Sequence, residues 1–256
     1  MNNYKLFFVV LARDRKYVFS KIKELEQLKV PYVIICGEKI KHPKVIYRPP
    51  KGKYDAINYA VRFIPSNTDI IVFNDVDTRI LSYEPALKYF KDNKVAVVYT
   101  LEEVPEGPQS LFFKVFNPIR SRIPLASTGE LLMIRRKILF RMIPLPPTKA
   151  EDTYIIFKSL EMGYKVIGCK EAKIITYRTK RPQEEERYKE RTVTGILQSL
   201  QHTRPPLLIR AAYLILPFLT PIFIITLGII GYYISKGIIK AYIKCYVYKD
   251  KGGYWK

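Results

Sequence analysis

Four short stretches of this 256-residue chain carry side chains able to do chemistry. The first is Asp75-Val76-Asp77, which follows the apolar run TDIIVF (68–73). In extended backbone, residues two apart point to the same side. The two carboxylates are therefore expected to form a chelating pair for a hard divalent cation, Mn2+ or Mg2+, which takes oxygens from carboxylates and phosphates. The second is Glu151-Asp152, at the head of TYIIFKSLEMGY (153–164). Acids favour helix N-termini because of the free amides and the dipole; a carboxylate there, inside a cleft, is also placed to act as a general base. The third is RPPKGKYDAINYA (48–60), where Gly52 opens a helix between Lys51 and Lys53. Helix amides and ammonium groups in such a turn can hold phosphate. The fourth is STGELLMIRR (127–136), with Gly129 ahead of a short strand and Arg135 and Arg136 at its end. Glycine there allows close backbone approach to a ligand. Taken singly, each has a plain alternative: a solvated turn, a capped helix, a basic loop, a basic strand end.

Positioning these groups requires a scaffold, and its elements are written in the hydrophobic pattern. KLFFVVLA (5–12), VPYVIIC (30–36), KVIYR (44–48), TDIIVF (68–73), VAVVYT (95–100) and residues 131–134 read as strands. RKYVFSKIKELEQL (15–28) reads as a helix, with Val18, Ile22, Leu25 and Leu28 near a 3-4 spacing. DAINYAVRF (55–63), SYEPALKYF (82–90) and residues 153–164 and 183–201 are further helices. The strands YKVIG and KIITY follow residue 163. This rhythm indicates an α/β domain with a mostly parallel sheet. Such sheets bind ligands beyond the carboxyl ends of their strands, which is where Asp75 and Asp77 fall. Residues 101–127 mix four prolines with Phe112, Phe113, Phe116 and Ile119. The stretch 109–125 reads either as a packed connection or as a segment lying on a membrane.

The order of these stretches resembles the family 2 glycosyltransferases. That pattern runs Gly-Lys-x-x-Ala-x-Asn-x-(Ala/Gly), Asp-x-Asp, Ser-Gly-x-x-x-x-x-Arg-Arg, then Thr-Glu-Asp before a helix ending near Gly-Tyr. Here Lys53, Ala56, Asn58 and Ala60 match the first part, and Asp75 and Asp77 the second. Gly129, Arg135 and Arg136 match the third, and Glu151 and Asp152 the fourth. The resemblance covers roughly residues 4–200. It implies a GT-A fold, Rossmann-like with a mixed, mostly parallel sheet, and transfer of a sugar with inversion from a nucleoside diphosphate sugar. It also implies roles. Asp77 and Asp75 would hold Mn2+ or Mg2+, Lys53 would sit near the nucleotide, and Asp152 would take the proton from the acceptor. Asp14, after the first strand, and Glu38, after Cys36-Gly37, would face the nucleotide, with Gly129 and Asp75 on the donor side. Processive members carry Gln-x-x-Arg-Trp after the Glu-Asp helix. Here Arg191 and Gly195 can correspond, but Tyr188 stands for the glutamine and Thr192 for the tryptophan, which argues against a polymer-forming enzyme.

Charge and apolar content point to the surroundings. Lys plus Arg is 44 against 23 Asp plus Glu, a formal net charge of +21, so an anionic partner is expected. From Ala211 to Ser235 there is no charged residue, a run long enough to enter a bilayer. Pro217 and Pro221 leave both a kinked span and a re-entrant hairpin open. Arg204 and Arg210 precede the run; Lys236, Lys240, Lys244, Lys249, Lys251 and Lys256 follow it among Tyr242, Tyr246, Tyr248, Tyr254 and Trp255. Bases and aromatic rings at both flanks suit anionic lipid headgroups. The N-terminal apolar run LFFVVLA is short and is followed at once by Arg13, Asp14 and Arg15, unlike a signal peptide. Cys36, Cys169 and Cys245 lie far apart and read as reduced thiols. The organisation expected is thus a transferase domain over 1–180, an amphipathic connecting helix at the membrane surface over 181–205, and a C-terminal anchor with a basic aromatic tail over 206–256. Its catalytic part would face the cytoplasm and its acceptor would be lipid-linked or a glycan. A nucleic-acid-binding protein is disfavoured, because the bases are scattered and no such module is present. A nucleotide-sugar-binding protein without turnover is the other alternative.

Overall fold

The structure, a computed structural model, describes residues 4–101, 108–125, 129–176 and 181–247. Pro105, Ser127, Thr128 and the tail from Tyr248 onward lie outside the described residues. The seven-stranded central sheet has the order β3-β2-β1-β4-β7-β6-β8. Its strands are β1 (Leu6–Ala12), β2 (Tyr32–Cys36), β3 (Val45–Tyr47), β4 (Ile70–Asp75), β6 (Val95–Thr100), β7 (Leu131–Arg135) and β8 (Lys165–Cys169). All pairings are parallel except those of β7, which runs antiparallel to both β4 and β6. The central strands read as unbroken apolar runs because both faces are covered. On one face Phe7, Val9, Leu11, Ile71 and Phe73 pack with Ile155, Ile156 and Phe157; on the other Phe8, Val10, Ile70 and Val72 pack with Val18, Ile22 and Leu25.

Helices α1 (Val18–Gln27), α2 (Lys53–Ala60), α3 (Glu84–Leu87), α5 (Arg136–Leu139) and α6 (Glu151–Glu161) connect these strands, and α4 (Pro108–Arg120) occupies the stretch where the strand-helix rhythm weakens. Phe113 and Arg120 of α4 are buried, and the Arg120 carbonyl accepts a hydrogen bond from the buried Tyr99 hydroxyl at 2.6 Å. The sequence reading did not include β5 (Thr78–Ser82), which pairs with β9 (Lys173–Thr176) in a separate two-stranded sheet. Its period-2 alternation, buried Thr78 and Ile80 against exposed Arg79 and Leu81, is too short to stand out beside the preceding acids.

Reversing β7 matters for the site. Leu131 pairs with Asn74, so the start of β7 lies beside the carboxyl end of β4. Gly129 is thereby delivered to the edge where Asp75 ends its strand.

The C-terminal part is a helical hairpin. Helix α7 (Glu184–His202) packs on α6 and is followed by α8 (Leu207–Ile215) and α9 (Thr220–Tyr242). Inside α9, Gly228 has φ 57° and ψ −130°, outside helical values, and the chain turns back there. Ser235 Oγ donates to the carbonyl of Thr220 at 2.9 Å, and the Tyr242 hydroxyl reaches the carbonyl of Tyr213. Residues fifteen apart in one straight helix would be about 22 Å apart. A Cβ at Gly231 would run into the Phe223 carbonyl oxygen, so the arms cross on bare backbone. The apolar segment is thus folded back on itself at Gly228 rather than continuing straight. The returning arm lies along α7: Ile234, Ile238, Ala241 and Cys245 pack with Val193 and Leu197. Glu186 pairs with Lys236 at 3.0 Å and with Lys240, and Glu190 pairs with Lys244 at 3.0 Å. Three of the bases expected at lipid headgroups are thus partnered by α7, because the arm brings them within reach of its acids. Cys36, Cys169 and Cys245 are buried free thiols.

Candidate active site

Most of the residues singled out in the sequence, Arg135 and Arg136 excepted, converge at the carboxyl edge of the sheet. Asp75 ends β4, and its two oxygens accept hydrogen bonds from Lys53 Nζ at 2.6 and 2.7 Å. Lys53 is the first residue of α2, preceded by Gly52 at φ 123°, a left-handed value that favours glycine. Two hydrogen bonds from Asn58 fasten α2 to the proline-rich loop that leads into α6: Leu145 N donates to Oδ1 at 2.7 Å and Nδ2 donates to the Leu145 carbonyl at 3.0 Å. Asn58 therefore positions rather than reacts.

Glu151 and Asp152 open α6. Glu151 is 6% exposed, and Asp152 Oδ1 accepts from the Thr153 amide at 2.7 Å. Gly129 sits against this carboxylate: a Cβ there would lie 3.2 Å from Asp152 Oδ2. Burial pushes Glu151 up to about 8, with Lys53 pulling it down and Asp152 pushing it further up. Burial raises Asp152 as well, against the opposing charge of Lys53. Burial works against the charge on Lys53, but Asp75 and Glu151 more than offset it and hold the ammonium above the ordinary lysine range. A cleft lined by Leu11, Asn74, Asp75, Gly129, Glu151 and Asp152 opens here. Beside it a second cleft lies between Ala12, Cys36, Gly37, Arg48 and Gly52.

Asp77 occupies a different setting from the one its spacing implied. Val76 and Asp77 form the two-residue turn between β4 and β5, and Asp77 is exposed while Asp75 is half-buried. Strand alternation therefore does not align the two carboxylates; a tight turn carries the second, because β5 resumes at Thr78. Asp14 and Glu38 lie in the loops after β1 and β2, on the same edge. Asp14 Oδ1 accepts from the Lys16 amide at 3.0 Å, and Glu38 pairs with Arg15 at 2.8 Å. Lys53, Asp75, Gly129 and Asp152 are thus brought together and Asp77 borders them, while Asp14 and Glu38 lie in the loops that follow Ala12 and Gly37 of the neighbouring cleft. Arg135 and Arg136 are elsewhere. Arg135 pairs across the sheet with Ile70 at the opposite edge, where its guanidinium donates to the carbonyls of Val95 and Phe90.

Other residues lie beside or beneath this site and were not singled out for it. Arg191 on α7 interacts electrostatically with Lys53 and Asp152. Gly195, one helical turn further, would put a Cβ 2.5 Å from Ala150 N, so α7 rests on the backbone just ahead of Glu151. Lys21 and Asn74 lie under the Asp75–Asp77 turn. The signal for Lys21 was visible: it falls on the same face of α1 as Val18, Ile22 and Leu25, a cation within an apolar stripe. Burial lowers its pKa, opposed by Glu24.

The donor set fits a hard divalent cation. Asp75 and Asp77 offer oxygens only, and the Lys53 ammonium held between both Asp75 oxygens marks a place where the fold stabilises positive charge. Among the described residues no three His, Cys, Asp or Glu side chains converge into a complete cage. Two carboxylates with the remaining positions left to phosphate and water suit Mg2+ or Mn2+.

No family model matches the sequence, and no curated protein does. Solved structures do match. A197 from STIV has a TM-score of 0.47 at 13% identity, covering 69% of this chain and 87% of that one. The catalytic domain of Drosophila β1,4-galactosyltransferase 7, complexed with xylobiose, has a TM-score of 0.40 at 16% identity, covering 64% of each chain. The mannosyltransferase from Pyrobaculum calidifontis, in complex with GDP-Man and Mn2+, has a TM-score of 0.73 at 17% identity, covering 94% of this chain and 86% of that one. At that identity the likeness speaks for the fold: a GT-A-like mixed α/β domain followed by a long apolar C-terminal helical segment.

Proposed function

We propose that this chain is a membrane-associated, inverting glycosyltransferase. It would move a sugar from a nucleoside diphosphate sugar to a lipid-linked or other membrane-proximal acceptor, without polymer formation. The observation that carries this reading is the meeting of Lys53, Asp75, Gly129 and the Glu151-Asp152 pair at one strand edge, in a chain with a GT-A-like fold. One protein of matching fold was solved with GDP-Man and Mn2+, which supports the class of donor.

Each side chain then has work to do. Lys53 and Arg191 supply positive charge toward the leaving diphosphate. Bound on Asp75 and Asp77, Mn2+ or Mg2+ would neutralise charge on the leaving oxygens. Asp152 accepts the proton of the acceptor hydroxyl, and its upward shift brings it toward the pH at which a base both holds its charge and takes a proton. If the acceptor is an ionised lipid phosphate, Asp152 orients it instead. Gly129 leaves room beside Asp152 for the acceptor. Asp14 and Glu38 face the base and ribose from the adjoining cleft.

The membrane part rests on the hairpin. Phe218 and Ile225 are 80% and 83% exposed, and Leu207, Leu214 and Ile229 are exposed as well. A contiguous apolar surface of this kind is ordinarily covered by lipid or protein. Insertion from the side of the catalytic domain, with anionic lipid around the remaining bases, would place that domain on the cytoplasmic face.

The test is a screen of nucleotide sugars with detergent-solubilised full chain, scoring manganese-dependent release of the nucleoside diphosphate. Release from one donor class, abolished by chelation, is expected. No release from any donor, with nucleotide sugar nevertheless bound, would make the chain a binding protein rather than a transferase.

A further inference from the structure

The ammonium of Lys21 is buried directly beneath the turn carrying Asp75 and Asp77, and no step of the transfer uses it. Its side chain is 1% exposed. Nζ donates to Asn74 Oδ1 at 2.8 Å, to Glu24 Oε2 at 2.7 Å and to the carbonyl of Thr78. Asn74 immediately precedes Asp75 and Thr78 immediately follows Asp77, so a single cation ties both ends of the turn. An ammonium has three protons, and all three are used. Glu24 extends the tie: its Oε1 accepts from the amide of Ile80 at 2.6 Å. Asn74 carries it sideways through Nδ2 to the carbonyl of Glu130, next to Gly129.

Packing alone does not call for this arrangement. Burying an ammonium and its partner carboxylate is costly, and an apolar side chain of similar length would fill the space without that cost. What the pair does, and an apolar residue would not, is fix the separation of two like-charged carboxylates on a two-residue turn. Holding a binding geometry in advance removes ordering cost at the moment of binding. Because Glu24 pairs with Lys21, the buried ammonium adds little net positive charge beneath the turn, and Lys53 is the cation that an incoming metal ion would meet on Asp75.

We propose that Lys21 and Glu24 are a positioning pair that sets the Asp75–Asp77 turn for divalent-cation binding. This rests on the reading of that turn as the cation site. The experiment measures Mn2+ binding to the full chain by calorimetry, with no sugar nucleotide present, alongside thermal melting without metal. The variants are Lys21→Met, the charge-balanced Lys21→Met/Glu24→Gln, and Glu24→Gln alone, which is milder because Glu24 is partly exposed. Removing a partner that orients a ligand typically costs about 10–100-fold in metal affinity. A loss in that range is expected for Lys21→Met and for the double variant, with a smaller loss in the same direction for Glu24→Gln. The Mn2+ concentration for half-maximal activity should rise in parallel, while turnover at saturating Mn2+ stays close to wild type. A double variant, or Glu24→Gln where the Met variants melt too early to assay, that binds Mn2+ as wild type does would reduce the pair to a structural bridge and overturn the proposal. Wild type that binds no Mn2+ would overturn it together with the cation site itself, whereas binding that is indifferent to the variants would leave the cation site standing.

Discussion

At the carboxyl edge of the sheet Glu151 and Lys21 are 6% and 2% exposed, while on the hairpin Phe218 and Ile225 are 80% and 83% exposed. The two regions depart from the usual partition of residues in opposite directions. In the cleft the chain supplies its own compensation. Lys53 meets Asp75, Lys21 meets Glu24 and Asn74, and the helix start at α6 offers the Thr153 amide to Asp152. The hairpin has no such answer on its outer surface: its inner side packs on α7, and its outer side faces outward unmatched. Charge buried with partners describes a site that is finished within the chain. Apolar surface without partners describes one that is completed by something outside it.

That contrast can be broken at either end. The largest effect is expected at Asp152. Asp152→Asn keeps the size and cannot accept the proton, so turnover should fall by about 10²–10⁴-fold while nucleotide-sugar affinity changes little, because a base acts mainly in the transition state. Kinetics and donor binding measured together decide it; unchanged turnover would place the base elsewhere, with Glu151 next to examine.

On the hairpin, Phe218→Asp and Ile225→Asp remove two exposed apolar side chains that the proposed membrane association would bury in lipid. Each is worth roughly 1.5–3 kcal/mol of apolar transfer, so vesicle partitioning should drop steeply. Melting of the detergent-free domain should hardly move. A co-sedimentation series checks both, and retention at wild-type levels would mean the outer surface does not face lipid.

Gly195→Ala tests the backbone contact behind the site. Its Cβ would meet Ala150 N at 2.5 Å, so α7 must shift, at a cost of typically 1–3 kcal/mol. A lowered melting temperature together with slowed turnover is expected; loss of one without the other would separate packing from positioning.

A subtler consequence concerns pH. Glu151 is raised from 4.5 to about 8 on folding, so between those values the native state binds more protons than the unfolded one. Stability from this group is therefore full below pH 4.5 and is lost as pH rises toward 8. Melting against pH should slope downward across that window in wild type and flatten in Glu151→Gln. The smallest effect is reserved for Glu190→Ala. Its pairing with Lys244 is partly exposed, and such pairs contribute about 0.2–1 kcal/mol.

How much was legible follows the same division. The strands were readable because each is an apolar run covered on both faces, and Lys53, Asp75, Gly129 and Asp152 were readable as types at fixed places relative to those runs. Asp77 was placed by strand alternation, which fails where β4 gives way to a turn. Lys21 stood out only as a cation within the apolar stripe of α1, a place where a lysine is usually solvated at its tip; what lies above it comes from the tertiary structure. Arg191 and Gly195 were noticed for their spacing and not for their location, which depends on α7 docking beside α6. In the apolar segment, Pro217 and Pro221 drew attention as breakers, yet the reversal is at Gly228, where the positive φ is easy for glycine.

The two glycine contacts on α7 have a mechanical meaning. A Cβ on Gly237 of the hairpin would run into the Glu186 carbonyl oxygen, and one on Gly195 would lie 2.5 Å from Ala150 N. Glu186 and Gly195 are about 14 Å apart along the helix axis. With backbone seated on backbone near each point, α7 acts as a strut of fixed length between the apolar hairpin and the carboxylate of Asp152. If the hairpin sits in a bilayer, the elevation of that carboxylate above the lipid is constant. Acceptors would then be sorted by reach, according to whether the oxygen they offer stands at that height.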